Sequence, residues 1–197
     1  MSKSLKNQII WDDFRKGSKD ALKFIYGENY SSLYNYGLKF TSDNELVKDL
    51  IQELFVELID SGLRLSTTDN IRFYLLKALR NKLTNQLSKI LKNTHSDVTS
   101  SEFSFLDSIE SQLIKKEVEV ELQLQMSNAI QKLSDKQQEI IYLHYYNNIS
   151  YQEIAKLFEV EIQTVRNLMC RAVKTLRDDL FIKFGKSLIL MVLRFQL

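Results

Sequence analysis

Apolar side chains recur every three or four residues along most of this chain of 197 residues. One such run lies between Trp11 and Phe40, a second between Leu46 and Leu58, and a third between Ile71 and Leu91. Further runs follow between Val120 and Leu180. This period is typical of helices that bury one face. Since no proline and only five glycines interrupt the runs, the pattern predicts an all-α protein.

The first two runs supply candidates for a core. In the first run these are Phe14, Leu22, Ile25, Tyr26, Leu33, Tyr34 and Phe40. In the second run an apolar stripe is formed by Leu46, Leu50, Leu54 and Leu58, with Val47, Ile51 and Phe55 beside it. The opposite side of that helix is polar and mostly acidic, and it carries Glu45, Asp49, Gln52, Glu53 and Glu57.

Polar segments divide the runs into two groups of helices. Gly62 and the stretch from Ser66 to Asn70 separate the second run from the third. Between Asn93 and about Glu121 the composition shifts to Ser, Thr, Asp and Glu, which is typical of a linker. We therefore predict a first helical domain over residues 1–92, an acidic linker over 93–120, a second helical domain over 121–180, and an apolar tail over 181–197.

Several helix starts are marked by side chains that cap backbone N–H groups. Ser42 with Glu45, Ser134 with Gln137, and Ser150 with Glu153 all have the spacing of a capping box. Asp69 is placed to cap the helix that begins at Ile71. The two later boxes precede apolar runs, so four helices fit between Val120 and Leu180.

Charges are segregated, although the net charge is only +2. From Asp43 to Asp60 there are six acids and one base, Lys48, whereas from Ile71 to Lys92 there are six bases and no acid. From Asp97 to Glu121 there are seven acids and two bases, and bases predominate again after Thr164. A single block of this kind is often just a solvated helix face, but the alternation along one chain favours separate acidic and basic surfaces.

The residue types needed for catalysis or metal binding are scarce. Cys170 is the only cysteine, the two histidines His95 and His144 are far apart, and no glycine-rich phosphate loop is present. We therefore predict neither an enzyme nor a metal or cofactor site, and no small-molecule substrate. The first residues lack the apolar core of a secretion signal, so we expect a cytoplasmic protein.

The stretch from Leu133 to Leu180 has the layout of a helix-turn-helix that reads DNA. Its apolar residues have the spacing to close a small core, and they are Ile154, Ala155, Leu157, Val160, Ile162, Val165, Met169, Ala172 and Leu176. That packing would turn polar side chains outward, namely Gln163, Thr164, Arg166, Asn167, Cys170, Arg171 and Lys174. Arg and Asn can meet base edges in a major groove, whereas Lys174 and Arg177 suit phosphates. An amphipathic hairpin with solubilising bases is the simpler alternative.

The basic helix from Ile71 interleaves its bases with Phe73 and Tyr74 and also offers Asn81 and Asn85. Cations combined with aromatic rings suit an unpaired nucleic-acid strand. Many solvated helices share this composition, so the pattern alone indicates only a candidate surface.

Together these segments resemble the extracytoplasmic-function group of bacterial RNA polymerase sigma factors, within the sigma-70 family. Asp49-Leu50-Ile51-Gln52-Glu53-Leu54-Phe55 is similar to the family's region-two helix. Ile149 to Arg177 is similar to its region-four helix-turn-helix, including Tyr151-Gln152-Glu153-Ile154-Ala155 and Thr164-Val165-Arg166. The chain departs from the family pattern where glycine, arginine, aspartate and tryptophan are frequent, at Glu159, Leu168, Asn85 and Ile59 respectively.

The resemblance implies three binding surfaces and three partners, which are core RNA polymerase, promoter DNA and an anti-sigma factor. Core polymerase would be bound by Lys48, Asp49, Gln52 and Glu53. The minus-ten element would be engaged by Arg80, Asn81, Lys82 and Asn85. The minus-thirty-five element would be bound by Gln163, Thr164, Arg166, Asn167, Cys170, Arg171 and Lys174.

Two other classes of protein share parts of the pattern. A helix-turn-helix regulator that acts without polymerase needs only the C-terminal half, and a helical interaction protein needs neither DNA surface. The apolar run from Leu188 to Leu193 is too short to span a bilayer, which takes about 20 residues. We expect it to pack as a last helix or against a partner and not to insert into a membrane.

Overall fold

The computed structural model describes residues 3–93, 103–104 and 126–184. Helices dominate these ranges and no strand occurs in them, so the predicted all-α fold is confirmed. The chain forms two compact units, Met1–Glu102 and Phe103–Leu197, which divide inside the predicted linker. Most of that linker, together with His95 and residues 185–197 of the predicted tail, lies outside the described residues.

Four α-helices occur in the described part of unit 1, residues 3–93. They are α1 (Lys3–Arg15), α2 (Lys19–Gly37), α3 (Asn44–Ser61) and α4 (Ile71–Asn93), and a short 3₁₀ turn over Gly62–Arg64 follows α3. α4 packs against α1, α2 and α3, and α2 packs against α1 and α3. α2 and α4 therefore each contact every other helix of this unit.

The apolar stripes predicted from the sequence meet inside unit 1. Its fully buried side chains include Trp11, Ile25, Leu33, Tyr36, Val47, Ile51, Leu75, Leu76, Leu79 and Leu83. Trp11 joins α1 to the remainder of the unit, because its Nε1 donates a hydrogen bond to the Ser66 carbonyl at 2.8 Å. Its ring also lies 4.8 Å from that of Tyr74 on α4. Burying about ten large side chains in this way supplies the main driving force for folding.

One predicted core residue lies at the surface. Tyr26 is exposed, with its ring against Phe55 on one side and Tyr30 on the other. The helical period placed it near the boundary of the apolar face, where a tyrosine can cover the core while its hydroxyl stays in water. Leu22 and Tyr34 are partly exposed, whereas Phe14, Ile25, Leu33 and Phe40 are buried as predicted.

Two of the predicted caps are replaced by the neighbouring residue. The N-cap of α3 is Asp43, not Ser42, since the Asp43 carboxylate accepts from the backbone N–H groups of Glu45 and Leu46. Asn70, not Asp69, caps α4, because its Oδ1 accepts from the Phe73 N–H at 3.2 Å. In both cases the candidates are adjacent polar residues, and the backbone bend decides between them.

The described residues of unit 2 also form four helices, the number predicted between Val120 and Leu180. Residues 126–131 form α5, and α6 (Asp135–Ile141) continues into a π-helical turn over Tyr142–Tyr146. α7 (Tyr151–Phe158) and α8 (Ile162–Phe184) complete the unit. Across the described ranges of both units, no helix is long and apolar enough to cross a bilayer.

The two predicted capping boxes in unit 2 are confirmed. The Ser134 N–H donates to Gln137 Oε1 at 3.0 Å at the start of α6. At the start of α7, the Ser150 N–H donates to Glu153 Oε2 at 2.9 Å, and Ser150 Oγ accepts from the Glu153 N–H at 3.3 Å. Both boxes satisfy backbone donors that a helix start leaves unpaired.

The π-helical turn contributes to the core of unit 2. Leu143 is fully buried, and the Tyr142 ring packs edge-on against Phe103 at 5.8 Å. The pKa of the Tyr142 hydroxyl is raised to about 12, chiefly by burial and also by the neighbouring Tyr146, while a hydrogen bond with Asn147 acts to lower it. Tyr142 therefore stays protonated at neutral pH and acts as a hydrogen-bonding core residue.

α7 and α8 form the predicted helix-turn-helix. Ile154, Ala155 and Val165 are buried between them. In the turn, Glu159 ends α7 in the left-handed conformation with φ 55° and ψ 43°, and its N–H donates to the Ala155 carbonyl. Glycine is favoured in this conformation because a Cβ atom meets the backbone there. The family's frequent glycine at this position therefore has a physical reason, and glutamate introduces strain.

The contact between α2 and α3 depends on a residue without a side chain. A Cβ atom on Gly37 would lie 2.5 Å from Cγ1 of the buried Val47. We expect Gly37→Ala to lower the free energy of unfolding by about 1 to 3 kcal/mol through overpacking, measured by chemical denaturation. Val47 cannot easily turn away, because β-branched side chains are stiff.

The double variant Gly37→Ala/Val47→Ala tests the steric cause of that loss. Val47→Ala alone also destabilises the unit, because it leaves a cavity. In the double variant the new methyl group has room, so the total loss should be smaller than the sum of the two single losses. Strictly additive losses would contradict a clash between these two residues.

The strain at Glu159 predicts a stabilising substitution. Glu159→Gly should raise the free energy of unfolding of unit 2 by about 1 kcal/mol, because it removes the Cβ that opposes the left-handed conformation. Glu159→Ala serves as the control, since it removes the charge but keeps the Cβ. Equal gains in thermal denaturation of both variants would assign the effect to charge, and no gain with glycine would show that the turn is unstrained.

Candidate nucleic-acid and protein interfaces

The outward side of α3 is an acidic surface. It consists of Glu45, Asp49, Gln52, Glu53 and Glu57, all of which are exposed, and we call it the acidic face. Burial of the apolar stripe on the other side of α3 leaves these side chains in solvent. The predicted polymerase-binding residues Asp49, Gln52 and Glu53 therefore lie together on one surface.

Lys48, the remaining predicted polymerase-binding residue, lies at the edge of the acidic face. Its Nζ pairs with Glu45 Oε1 at 2.7 Å. The pKa of the Lys48 amine is raised by the hydrogen bond and charge of Glu45, and the neighbouring Tyr34 and Tyr30 contribute as well. Lys48 thus carries a positive charge beside two tyrosine rings of α2.

The second half of α3 and the 3₁₀ turn after it expose apolar side chains that the sequence pattern did not single out. Val56 and Ile59 of α3 are exposed by 56% and 51%, and Leu63 of the turn by 67%. The helical spacing places Val56 and Ile59 in line with Gln52 and Glu53 on α3. The surface of α3 is therefore acidic near its start and apolar near its end.

A row of exposed polar side chains runs along α4. Asn81 and Asn85, both predicted to engage the minus-ten element, are exposed and four residues apart. Lys77 and Lys89 continue the same spacing and are also exposed. These four residues form what we call the polar stripe of α4. The two lysines were absent from the predicted site, although their four-residue spacing from the asparagines could have indicated them.

The other two predicted minus-ten residues are partly buried. Arg80 is half-buried, and its carbonyl accepts a hydrogen bond from Thr84 Oγ1 at 3.0 Å. The Lys82 side chain is only 17% exposed, and its Nζ lies 2.6 Å from Glu57 Oε1 and 3.4 Å from Glu53 Oε2. Lys82 therefore contacts the acidic face of α3.

The aromatic rings near the start of α4 serve the fold at least in part. Tyr74 is one of the two aromatic residues interleaved with the bases of α4, and its ring packs on Trp11 and is only partly exposed. Phe73 is also partly exposed. The cations and asparagines of α4 are thus more accessible than its aromatic rings.

Unit 2 presents the third predicted surface on α8. All seven predicted residues are exposed there, and they are Gln163, Thr164, Arg166, Asn167, Cys170, Arg171 and Lys174. We call this surface the reading face. Val165, Met169 and Ala172 on the opposite side are buried, which fixes the outward direction of the reading face. Near its start, Gln163 Nε2 donates to Asn167 Oδ1 at 3.0 Å.

An open cleft of about 390 Å³ borders the reading face. It lies between α8 and two tyrosines, Tyr145 of the π-helical turn and Tyr151 of α7. Burial raises the pKa of Tyr151, and Tyr145 raises it further, whereas Arg166 lowers it. Both sides of the cleft carry hydrogen-bond donors. The residues that line it are Tyr145, Tyr151, Arg166, Met169, Cys170, Val173, Lys174 and Arg177.

The described residues contain no group of three or more His, Cys, Asp or Glu side chains arranged to hold a metal ion. His144 is used within unit 2, since its Nδ1 lies 2.9 Å from the Ile149 carbonyl and its ring lies 4.4 Å from that of Tyr151. Among the described residues, exposed carboxylates are concentrated on the acidic face of α3, and exposed cations and amides on the polar stripe of α4 and the reading face of α8.

Two family models match the chain, and each covers one of the helical units. The sigma-70 region 2 model matches residues 25–91, which include α3 and most of α2 and α4. The sigma-70 region 4 model matches residues 123–176, which include the helix-turn-helix and the reading face. The acidic face and the polar stripe thus both lie within the region 2 match.

Relatives of known name agree with these matches. The RNA polymerase sigma factor YlaC of Bacillus subtilis (strain 168) is 23% identical over 164 residues, which are 82% of this chain and 93% of that protein. The fold resembles CnrH, solved with the cytosolic domain of CnrY, with a TM-score of 0.60, 16% identity and coverage of 90% and 98% of the two chains. It also resembles the sigma factor RpoE solved with the anti-sigma factor NepR from Bartonella quintana, with a TM-score of 0.57, 19% identity and coverage of 84% and 97%.

Proposed function

Because this chain belongs to the sigma-70 family of RNA polymerase sigma factors, we propose that it binds core RNA polymerase and directs promoter-specific initiation of transcription. The family predicted from the two sequence motifs is thereby confirmed. The observation that carries the proposal is the occurrence of both regions in one chain, each with its charged surface exposed. A helix-turn-helix regulator that acts without polymerase has no need of region 2.

Region 2 provides the surface for polymerase. The proposed contacts are Lys48, Asp49, Gln52 and Glu53, and the exposed carboxylates among them suit a partner rich in arginine and lysine. The apolar residues Val56, Ile59 and Leu63 continue this surface, and apolar area at the centre of an interface supplies much of its affinity.

The two promoter elements are engaged by different units. Asn81 and Asn85, with Lys77 and Lys89 beside them, offer amides and cations to the minus-ten strand. Arg80 and Lys82 belong to the same proposed surface. The reading face of α8 binds the minus-thirty-five element, with Arg166, Asn167 and Arg171 placed for base edges and Lys174 for phosphate. A sigma factor is not an enzyme, so the free energy that opens the DNA comes from its binding to the promoter.

Membership of the family supports a proposal for where the protein acts and for how it is regulated. The protein acts in the cytoplasm, where polymerase and promoters are found. An anti-sigma factor is the proposed regulatory partner, and the likeness in fold to a sigma factor solved with its anti-sigma factor supports that proposal. The experiment that tests the function is transcription by purified core enzyme and this chain on a promoter library. Transcripts that require the chain would support the proposal, and their absence would overturn it.

Charge reversal on the acidic face should weaken polymerase binding. We expect Asp49→Lys to reduce the amount of core enzyme retained in a pull-down at least tenfold, because like charges would then face the partner's cations. Glu53→Lys should do the same, but Asp49→Lys is the cleaner test since Glu53 also pairs with Lys82. The control is Glu28→Lys, a reversal at an exposed position of α2. Undiminished retention of core by both α3 variants would exclude this docking surface.

Truncation of arginines on the reading face should weaken minus-thirty-five binding. We expect Arg166→Ala and Arg171→Ala each to cost about 1 to 3 kcal/mol if the contact is to a base, measured by anisotropy with polymerase-bound protein. A base contact also relaxes sequence preference at one position, whereas a phosphate contact weakens all sequences alike. Lys156→Ala removes an exposed cation from α7 and serves as control. Wild-type affinity in both arginine variants would refute the assignment.

A further inference from the structure

Lys82 lies where two binding surfaces of unit 1 meet. It extends from α4, next in sequence to Asn81 of the polar stripe, but its Nζ is held by two carboxylates of α3. The shorter contact is to Glu57 at 2.6 Å and the longer one to Glu53 at 3.4 Å. One ammonium group is thus shared by the helix proposed for DNA and the helix proposed for polymerase.

The two carboxylates differ in what else they are needed for. Glu53 belongs to the proposed polymerase contacts, whereas Glu57 belongs to no predicted site. In the free protein Lys82 partly neutralises Glu53, which makes that carboxylate less attractive to a cation from polymerase. At the same time both carboxylates oppose the approach of Lys82 to a DNA phosphate. Each function therefore draws on a charge that the other also needs.

The carboxylates and the ammonium differ in exposure. The Lys82 side chain is 17% exposed, whereas those of Glu53 and Glu57 are 57% and 58% exposed. An ion pair that is partly open to solvent has a modest free energy, so it can be exchanged for another partner without disrupting the core. The four-carbon stem of lysine allows the ammonium to move while α4 stays in place.

We propose that Lys82 is an exchangeable link between polymerase docking and minus-ten DNA binding, and that Glu57 is the positioning residue that holds it in the free protein. This inference rests on the proposed function. When a cation of polymerase binds Glu53, the negative potential around Lys82 falls, and Lys82 becomes available to DNA. By thermodynamic linkage, DNA that takes up Lys82 also frees Glu53 and strengthens polymerase binding.

Exchange of this kind predicts opposite effects on the two partners. Lys82→Met leaves Glu53 without its internal partner, so it should strengthen core binding about two- to fivefold and weaken minus-ten binding by a similar factor. Glu57→Gln leaves Glu53 as the only partner of Lys82, so it should weaken core binding and strengthen minus-ten binding about twofold. A lysine that merely ties α3 to α4 would instead weaken both activities when it is removed.

The experiment uses the full chain and purified core enzyme. Core affinity is measured by titration, and minus-ten affinity by anisotropy of the polymerase-bound protein with a single-stranded oligonucleotide carrying a minus-ten sequence from an active promoter. Lys82→Arg keeps a cation within reach of both carboxylates and should restore the wild-type pattern. In the double variant Glu57→Gln/Lys82→Met, the effect of Glu57→Gln should disappear, because it acts through Lys82.

Two control variants separate exchange from a general change of charge. Lys77→Met removes an exposed cation from the polar stripe, so it should weaken DNA binding without strengthening core binding. Asp60→Asn removes an exposed acid from α3 and should leave the ratio of core affinity to minus-ten affinity unchanged. The inference would be overturned if Lys82→Met or Glu57→Gln changed the affinities for core and for minus-ten DNA in the same direction. Additive effects of the two substitutions in the double variant would also overturn it. Failure of the wild-type chain to bind core would overturn the proposed function instead.

Discussion

The burial of one apolar stripe per helix is the constraint on which the surfaces of this protein depend. In α3, the buried Val47, Ile51 and Leu54 fix the rotation of the helix, so Asp49 and Glu53 have to face outward. In α8, the burial of Val165 and Met169 does the same for Arg166 and Arg171. Asp49, Glu53, Arg166 and Arg171 are themselves exposed. Their direction is set by the residues one or two positions away, which the hydrophobic effect holds in place.

This constraint also explains which features were predictable from the sequence. The helical period alone indicated the helices, the acidic face and the seven residues of the reading face, because a residue's place on a helix decides its burial. Tertiary contacts decided the remainder. Tyr74 is an aromatic residue among basic ones, which suits stacking on a nucleic-acid base, but Trp11 of α1 packs on its ring. In the sequence Lys82 is one of six basic residues of α4 and nothing distinguishes it from the other five. Only the packing of α4 against α3 brings its ammonium group to Glu57. The sequence did not distinguish the neighbouring cap candidates Asp69 and Asn70; in the structure Asn70 accepts from the Phe73 N–H, whereas the Asp69 carboxylate accepts from Ser4 Oγ.

The turn between α7 and α8 shows a local conflict between sequence and fold. Glu159 adopts a backbone conformation that suits glycine, yet the turn keeps its geometry because buried residues on both sides of it, including Ala155 and Val165, hold the two helices together. The cost of the strained residue is small compared with the burial of these side chains. The reading face is thus positioned by packing and survives an unfavourable residue in the turn.

Unit 1 differs from unit 2 in that its two charged helices contact each other. α3 carries carboxylates and α4 carries cations, so their packing brings opposite charges together at Lys82. Because Glu53 and Glu57 hold one ammonium group, the charges of all three side chains are partly neutralised within the unit. Under the exchange proposed for Lys82, charges shared in this way would favour the assembly in which both partners are present over either partial complex.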